Sequence, residues 1–135
     1  MIVADTNLVA YLFLGGDFTQ DAEAVFDQDP DWVIPYLWRS EFRNVLTIYL
    51  RQGLLSLSEV QEIAQQAESF FLDREFAVNS LEVLQIAAVT NLSAYDCEFV
   101  ALAQNLDISL VTSDRKIIKA YPQIATSPQA FTTKA

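Results

Sequence analysis

Histidine is absent from the 135-residue chain, and cysteine occurs once, as Cys97. Without histidine there can be no Ser-His-Asp triad, no imidazole general base and no His-based zinc site. A lone cysteine excludes an intrachain disulfide and fits a reducing cytoplasm, which is the expected location. Glycine and proline are scarce, at 3 and 4 residues, while 52% of the chain is apolar. That balance argues for a packed globular domain and against disorder. No apolar run reaches the roughly 20 residues that cross a bilayer. No basic stretch precedes a long apolar one, so neither a membrane anchor nor a secretory signal is expected. Cations are the remaining shortage, with 8 Lys and Arg against 18 Asp and Glu and a formal net charge of −10. A chain without histidine must hold any metal through oxygen, which points to Mg²⁺ or Mn²⁺. The basic footprint of a simple nucleic-acid binder is missing. Divalent ions in an acidic cleft, or a basic protein partner, would answer that objection, and acidity also serves solubility.

What is present alternates between strand and helix. Residues 2–5 read as a buried strand, followed by a helix from about Asn7 to Leu14 that Gly15-Gly16 ends. Residues 19–28 carry Ala22, Val25 and Phe26 on one helical side. Residues 32–34 form a second strand, with Pro35 at its end or opening the next helix. The spacing over 36–51 predicts a helix with Leu37, Glu41, Val45 and Ile48 on one face. A further helix should start at Ser58, with Gln61 completing a capping box. It should run to about Asp73 and bury Val60, Ile63, Ala64, Ala67 and Phe71, making a hairpin with its predecessor. Residues 76–78 suggest a third strand. Asn79 caps a helix to about Val89, and Ser93 caps another to about Leu106, with Tyr95, Phe99, Leu102 and Leu106 as its apolar stripe. Residues 109–112 form a fourth strand, 115–121 a helix, and 124–126 a short last strand. This order predicts one α/β domain over 1–135, a largely parallel sheet of four to five strands flanked by helices.

Four acids stand out by position. Asp5 and Asp114 each end an apolar strand and precede a helix, where an N-cap is the ordinary explanation. Asp96 lies in the first turn of its helix, where it would complete a capping box or answer the macrodipole. Glu41 has no such account. It sits in mid-helix among apolar neighbours, where an unpartnered carboxylate is costly. Pairing with Arg39 or Arg43, or an edge position reaching water, would be the alternatives. In a parallel sheet all four places can converge on the carboxyl edge, where ligands bind. One carboxylate pair about 4 Å apart costs on the order of 4 kcal/mol at an effective dielectric of about 20. Divalent cations would reverse that cost, and two of them can drive in-line displacement at phosphorus.

The motifs Ile2-Val3-Ala4-Asp5-Thr6-Asn7, Glu41 with Asn44-Val45-Leu46, Ser93-Ala94-Tyr95-Asp96 with Leu102-Ala103, and Leu110-Val111-Thr112-Ser113-Asp114-Arg115 occur in series. In that order they resemble the PIN-domain ribonucleases, most closely the VapC-type toxins of toxin–antitoxin pairs. The resemblance implies a three-layer PIN-like fold in which Asp5, Glu41, Asp96 and Asp114 hold Mg²⁺ or Mn²⁺ and carry catalysis. It makes Asn7, Thr112 and Ser113 supporting residues. It also implies metal-dependent cleavage of RNA to 5′-phosphate and 3′-hydroxyl ends, a homodimer, and a cognate antitoxin that blocks the cleft. The hairpin over 36–73 is the expected dimer surface. Arg39, Arg43, Arg115, Lys116 and Lys119 are the candidate phosphate contacts. Glu98, two residues from Asp96, should face away, and Trp38, Tyr95 and Cys97 are expected to pack rather than to act.

Two other enzyme or signalling readings fit poorly. A haloacid-dehalogenase-like phosphatase needs a second Asp two residues after the first, and that position is Asn7. A receiver-like domain needs adjacent acids after its first strand, and Asp5 is followed by Thr6. A PIN-like module that binds RNA or protein without cutting is the remaining alternative.

Overall fold

The computed structural model describes residues 1–133. Its elements are β1 (Ile2–Ala4), α1 (Thr6–Leu14), α2 (Thr19–Gln28), β2 (Trp32–Pro35), α3 (Trp38–Arg51), α4 (Leu57–Phe70), β3 (Glu75–Phe76), α5 (Ser80–Val89), α6 (Ala94–Leu106), β4 (Leu110–Val111), α7 (Arg115–Ala120), β5 (Ala125–Thr126) and α8 (Pro128–Thr133). The strands form one five-stranded sheet in the order β3-β2-β1-β4-β5. Every pairing is parallel, with Val3 opposite both Val33 and Leu110. β1 is central, and its three side chains are buried, as are all four of β2. Strands covered on both faces are expected to be continuously apolar, which is how Ile2-Val3-Ala4 and Trp32-Val33-Ile34 read.

The strand order decides where a ligand can enter. From β1 the chain steps outward to β2 and β3, then crosses back to β4 and β5. Right-handed crossovers put α1–α4 on one face and α5–α6 on the other. In agreement, α1 packs on α2, α3 and α4, whereas α6 packs on α5 and on β1, β2 and β4. The winding reverses between β1 and β4, so a crevice opens there at the carboxyl ends of the strands.

Several local expectations are corrected. The capping box of α4 is Ser56 with Glu59, whose carboxylate reaches back to the Ser56 N–H at 2.9 Å. It replaces Ser58–Gln61 because a charged acceptor at that position also answers the helix dipole. On α3 the deeply buried row is Trp38, Phe42 and Leu46, and Ile48 is 47% exposed. Trp38 stacks against Phe42 and Phe71 with centroids 5.7 and 4.8 Å apart, so the aromatic row takes the core. Leu37, Glu41 and Val45 lie beside it, half-buried at the core's edge. On α6, Tyr95 is 62% exposed and leaves the stripe, while Cys97, Phe99 and Leu102 are buried. β3 lies at 75–76 rather than 76–78, and α8 was not foreseen.

Arg39 is not available to a phosphate. It makes a bidentate pair with Glu75 at 2.6 and 2.8 Å and reaches Glu68 at 2.9 Å. The Trp38 indole N–H donates to the same Glu75 carboxylate at 2.7 Å, which ties α3 to β3.

Candidate active site

The crevice between β1 and β4 holds an open cavity of about 250 Å³. Asp5, Asn7, Glu41, Asp96 and Asp114 all line it. Four acids from four separate segments therefore share one cleft. Thr6, Asn44, Val45, Phe99 and Ile117 complete its wall.

Asp5 is the best-anchored of the four, with only 7% of its surface exposed. Its Oδ1 accepts the Leu8 N–H at 2.8 Å as the N-cap of α1. Its Oδ2 accepts the Thr112 hydroxyl at 2.5 Å. Capping and a second task thus use different oxygens of one carboxylate. Thr112 is fully buried, and its Oγ1 also accepts the Asp114 N–H at 3.0 Å. One hydroxyl therefore joins the ends of β1 and β4. Asp114 caps α7 by accepting the Lys116 N–H at 2.9 Å. Asp96 lies in the first turn of α6, where Ser93 caps its N–H at 3.1 Å. Glu41 is held by Thr6, whose hydroxyl donates to Oε1 at 2.6 Å.

The electrostatics record the crowding. Burial pushes the Asp5 carboxyl from 3.8 up to about 6, against the opposing hydrogen bonds from Thr112 and Leu8, and Glu41 adds to the rise. Glu41 is raised by burial and by the charge of Asp96, and Asp96 by burial and by Asp114. Such mutual upward shifts mark carboxylates gathered without compensating cations. Lys116 partly offsets the rise at Asp96.

All four predicted acids meet in the cleft, and Asn7 is exposed on its wall. Thr112 supports it directly. Ser113 is exposed, lines a neighbouring cavity rather than the cleft, and favours the Asp5 carboxylate through its backbone. Thr6, next to Asp5 in the first motif, is a further residue of the site, since it lines the cleft and its hydroxyl holds Glu41. Glu98 does not line the cleft, but it is half-buried rather than a surface residue, and the charge of Glu41 raises its carboxyl after burial does.

The donor set is hard oxygen throughout, which suits Mg²⁺ or Mn²⁺ and excludes a thiolate or imidazole metal. Among the described residues, no three acids converge tightly enough to grip one ion by themselves. That spacing suits ions that keep several waters and take one or two carboxylates each.

Thr112→Val is expected to cost about 1–3 kcal/mol, because the isosteric change leaves the buried Asp5 carboxylate and the Asp114 N–H each short of a partner. Thr112→Ser should keep most of that stability. Urea unfolding of the two variants at neutral pH reads the difference, and equal losses would remove the hydroxyl from this role.

A family model described as PIN domain matches residues 2–122 of this chain. Ribonuclease VapC3 of Pyrobaculum aerophilum is 28% identical over 130 residues, covering 93% of this chain and 98% of its own. Among solved structures, FitAcB from Neisseria gonorrhoeae superposes with a TM-score of 0.76 at 18% identity, over 96% of this chain and 99% of that one. A chain of a toxin–antitoxin complex from Klebsiella pneumoniae superposes with a TM-score of 0.68 at 18% identity, over 95% and 98%. At these identities the two structures speak to the fold alone.

Proposed function

The chain belongs to the PIN domain family, and on that premise we propose that it is a metal-dependent endoribonuclease, the toxin of a toxin–antitoxin pair. The observation that carries this reading is the convergence of Asp5, Glu41, Asp96 and Asp114 on one cleft at the switch point of the sheet. The relative named as a ribonuclease and the fold shared with a toxin–antitoxin complex support it.

Asp5, Glu41, Asp96 and Asp114 would hold Mg²⁺ or Mn²⁺. When bound, such ions supply Lewis-acid polarisation and charge neutralisation for displacement at a phosphodiester. The protein's own part is preorganisation. Thr112 and the Leu8 N–H fix Asp5, Thr6 fixes Glu41, and the caps of α6 and α7 fix Asp96 and Asp114. The side chains Val45, Phe99 and Ile117 give the cleft an apolar wall, which strengthens electrostatic contacts within it. Asn7 adds an uncharged amide that can orient the substrate without adding repulsion. Lys116, Lys119 and Arg115 lie on α7, which Asp114 caps, and carry no ion pair among the described residues, so they would be the phosphate contacts around the cleft.

An antitoxin partner and a homodimer belong to the same reading. Ile48, Leu54 and Leu57 are exposed around the α3–α4 turn, and Leu81, Leu84 and Val89 are exposed on α5, so both regions offer apolar surface. Among the described residues no helix is long and apolar enough to cross a membrane.

The test is cleavage of end-labelled single-stranded RNA by the purified chain under Mg²⁺ and Mn²⁺ titration. Cleavage that rises with the metal, stops with EDTA and leaves 5′-phosphate ends is the expected result. RNA binding with no cut at any metal concentration would place the chain among non-cutting PIN-like modules instead.

A further inference from the structure

A second cavity, of about 520 Å³, lies beside the acidic cleft, and its wall includes Tyr11, Phe18, Asp21, Arg115, Ile118 and Gln129. Only the width of the chain leaving β4 separates the two. Asp114 lines the cleft, while Ser113 and Arg115 on either side of it line the second cavity. Asp114, the N-cap of α7, has extended backbone with φ −76° and ψ 109°, and the residues on either side of it line the other cavity. α7 repeats the division, since Ile117 faces the cleft while Ile118 joins Arg115 on the other face. The cavity is within the roughly 300–1,000 Å³ of small-molecule sites.

Its chemistry is specific. Phe18 packs on Tyr11 with centroids 5.0 Å apart and rings inclined by 38°, yet it remains 52% exposed. The turn that presents it is defined: Gly15 and Gly16 adopt φ of 76° and 108°. Thr19 then donates its hydroxyl to the Tyr11 carbonyl at 2.8 Å, fixing the start of α2 on α1. Phe18 is thus an aromatic platform held in place with an open surface. Arg115 is exposed and without an ion pair among the described residues. On the rim, the Gln129 amide donates to Asp21 Oδ2 at 2.8 Å, which leaves the Gln129 carbonyl and the other Asp21 oxygen as acceptors. An aromatic face, a planar cation and paired polar groups are the requirements for a stacked base with a phosphate beside it.

We propose that this cavity holds the base of one nucleotide flanking the scissile phosphate, with Phe18 as its stacking platform and Arg115 on the adjoining phosphate, and that it sets the nucleotide preference of cleavage. The proposal rests on the nuclease reading of the acidic cleft. RNA is favoured over a protein segment because the cavity adjoins, across Ser113–Arg115, a site suited to phosphodiesters. Arg115 also supplies positive charge in a chain whose net charge is −10.

The probe is a pool of random-sequence single-stranded RNA, with cut ends mapped by sequencing. The parent chain should prefer one base at a fixed position beside the cut. Phe18→Ala should flatten that preference and raise KM about 5- to 150-fold, the range that stacking one base supports. kcat should change much less, and Phe18→Tyr should restore both readouts. Arg115→Gln should raise KM and reduce the dependence of log KM on log salt by about 0.7, the contribution of one phosphate contact on a single strand. Unchanged preference and KM in Phe18→Ala would overturn the proposal, even if that variant loses a protein partner.

Binding is read separately from cleavage and without metal. Each of the four 5′-nucleoside monophosphates is titrated into the chain while NMR follows the Phe18 and Arg115 side chains. Both are expected to shift with at least one nucleotide. No shift with any of them overturns the proposal, whether or not the parent cuts RNA. A shift in a chain that does not cut supports the pocket and removes the nuclease reading.

Discussion

Asp5→Asn is expected to lower metal-dependent RNA cleavage by at least about 10³-fold while leaving the fold intact. The size follows from the loss of a preorganised charge at the reacting centre, where removing even one neutral donor costs about 10²–10³. The fold should survive because Asn is as good an N-cap as Asp. Its carbonyl can accept the Leu8 N–H, and its amide can face Thr112. The exchange also removes a buried charge, so Asp5→Asn should unfold at a higher temperature than the parent at neutral pH in EDTA. Loss of activity with raised stability separates a functional residue from a structural one, since damage to the fold would lower both. A variant that cuts RNA at the parent's rate, in preparations free of contaminating nuclease, would remove Asp5 from the mechanism.

The second large effect is a pH-dependent cost of the unfilled cleft. Burial holds the Asp5 carboxyl at about 6, against 3.8 for the free side chain. The folded chain therefore binds this proton more tightly than the unfolded one. Its contribution to stability is complete below pH 3.8, is lost as pH rises toward 6, and leaves a constant penalty of about 3 kcal/mol above that. Glu41 and Asp96 shift in the same direction and deepen the fall. Acids with lowered values, such as Glu75 paired with Arg39, act oppositely, so the clean measurement is a difference between two chains. In EDTA, the stability gap between Asp5→Asn and the parent should be near zero at about pH 4 and open to about 3 kcal/mol by pH 6.5. Mg²⁺ at 100 times its dissociation constant should return about 2.7 kcal/mol to the parent at pH 7 and much less to the variant. A gap that is flat across this pH range would mean that the Asp5 carboxylate is not burdened by its surroundings.

Glu41 reaches the cleft although the packing expected of its helix is partly incorrect. A mid-helix position is expected to set it apart, but α3 starts at Trp38 and Glu41 lies in its first turn, where the helix dipole also favours an acid. The row assigned to the core was also the wrong one. Two apolar rows run along α3 about 100° apart, and helical periodicity alone cannot rank them. Packing of Trp38 on Phe42 and Phe71 chooses 38/42/46, which turns Leu37, Glu41 and Val45 to the edge where the cleft opens. Glu41 is therefore half-buried and hydrogen-bonded to Thr6, rather than enclosed. Glu98 stays off the cleft wall yet is half-buried and close enough to Glu41 to be raised by its charge, which spacing along α6 alone does not reveal.

The sequence by itself determined the elements and their punctuation. The apolar runs of β1, β2 and β4, the glycine stop after α1, and the caps at Asp5, Asn79, Ser93 and Asp114 all depend on near neighbours. Hydrogen bonds and side-chain periods within a few residues encode such features, so they can be read without the rest of the chain. Tertiary structure alone decided the strand order, the row of α3 that faces the core, and the bond from Thr112 to Asp5 across 107 positions. Those depend on burial shared among distant segments, which no local pattern specifies. Four acids scattered along the chain became one cleft only when the sheet order set the ends of β1 and β4 side by side.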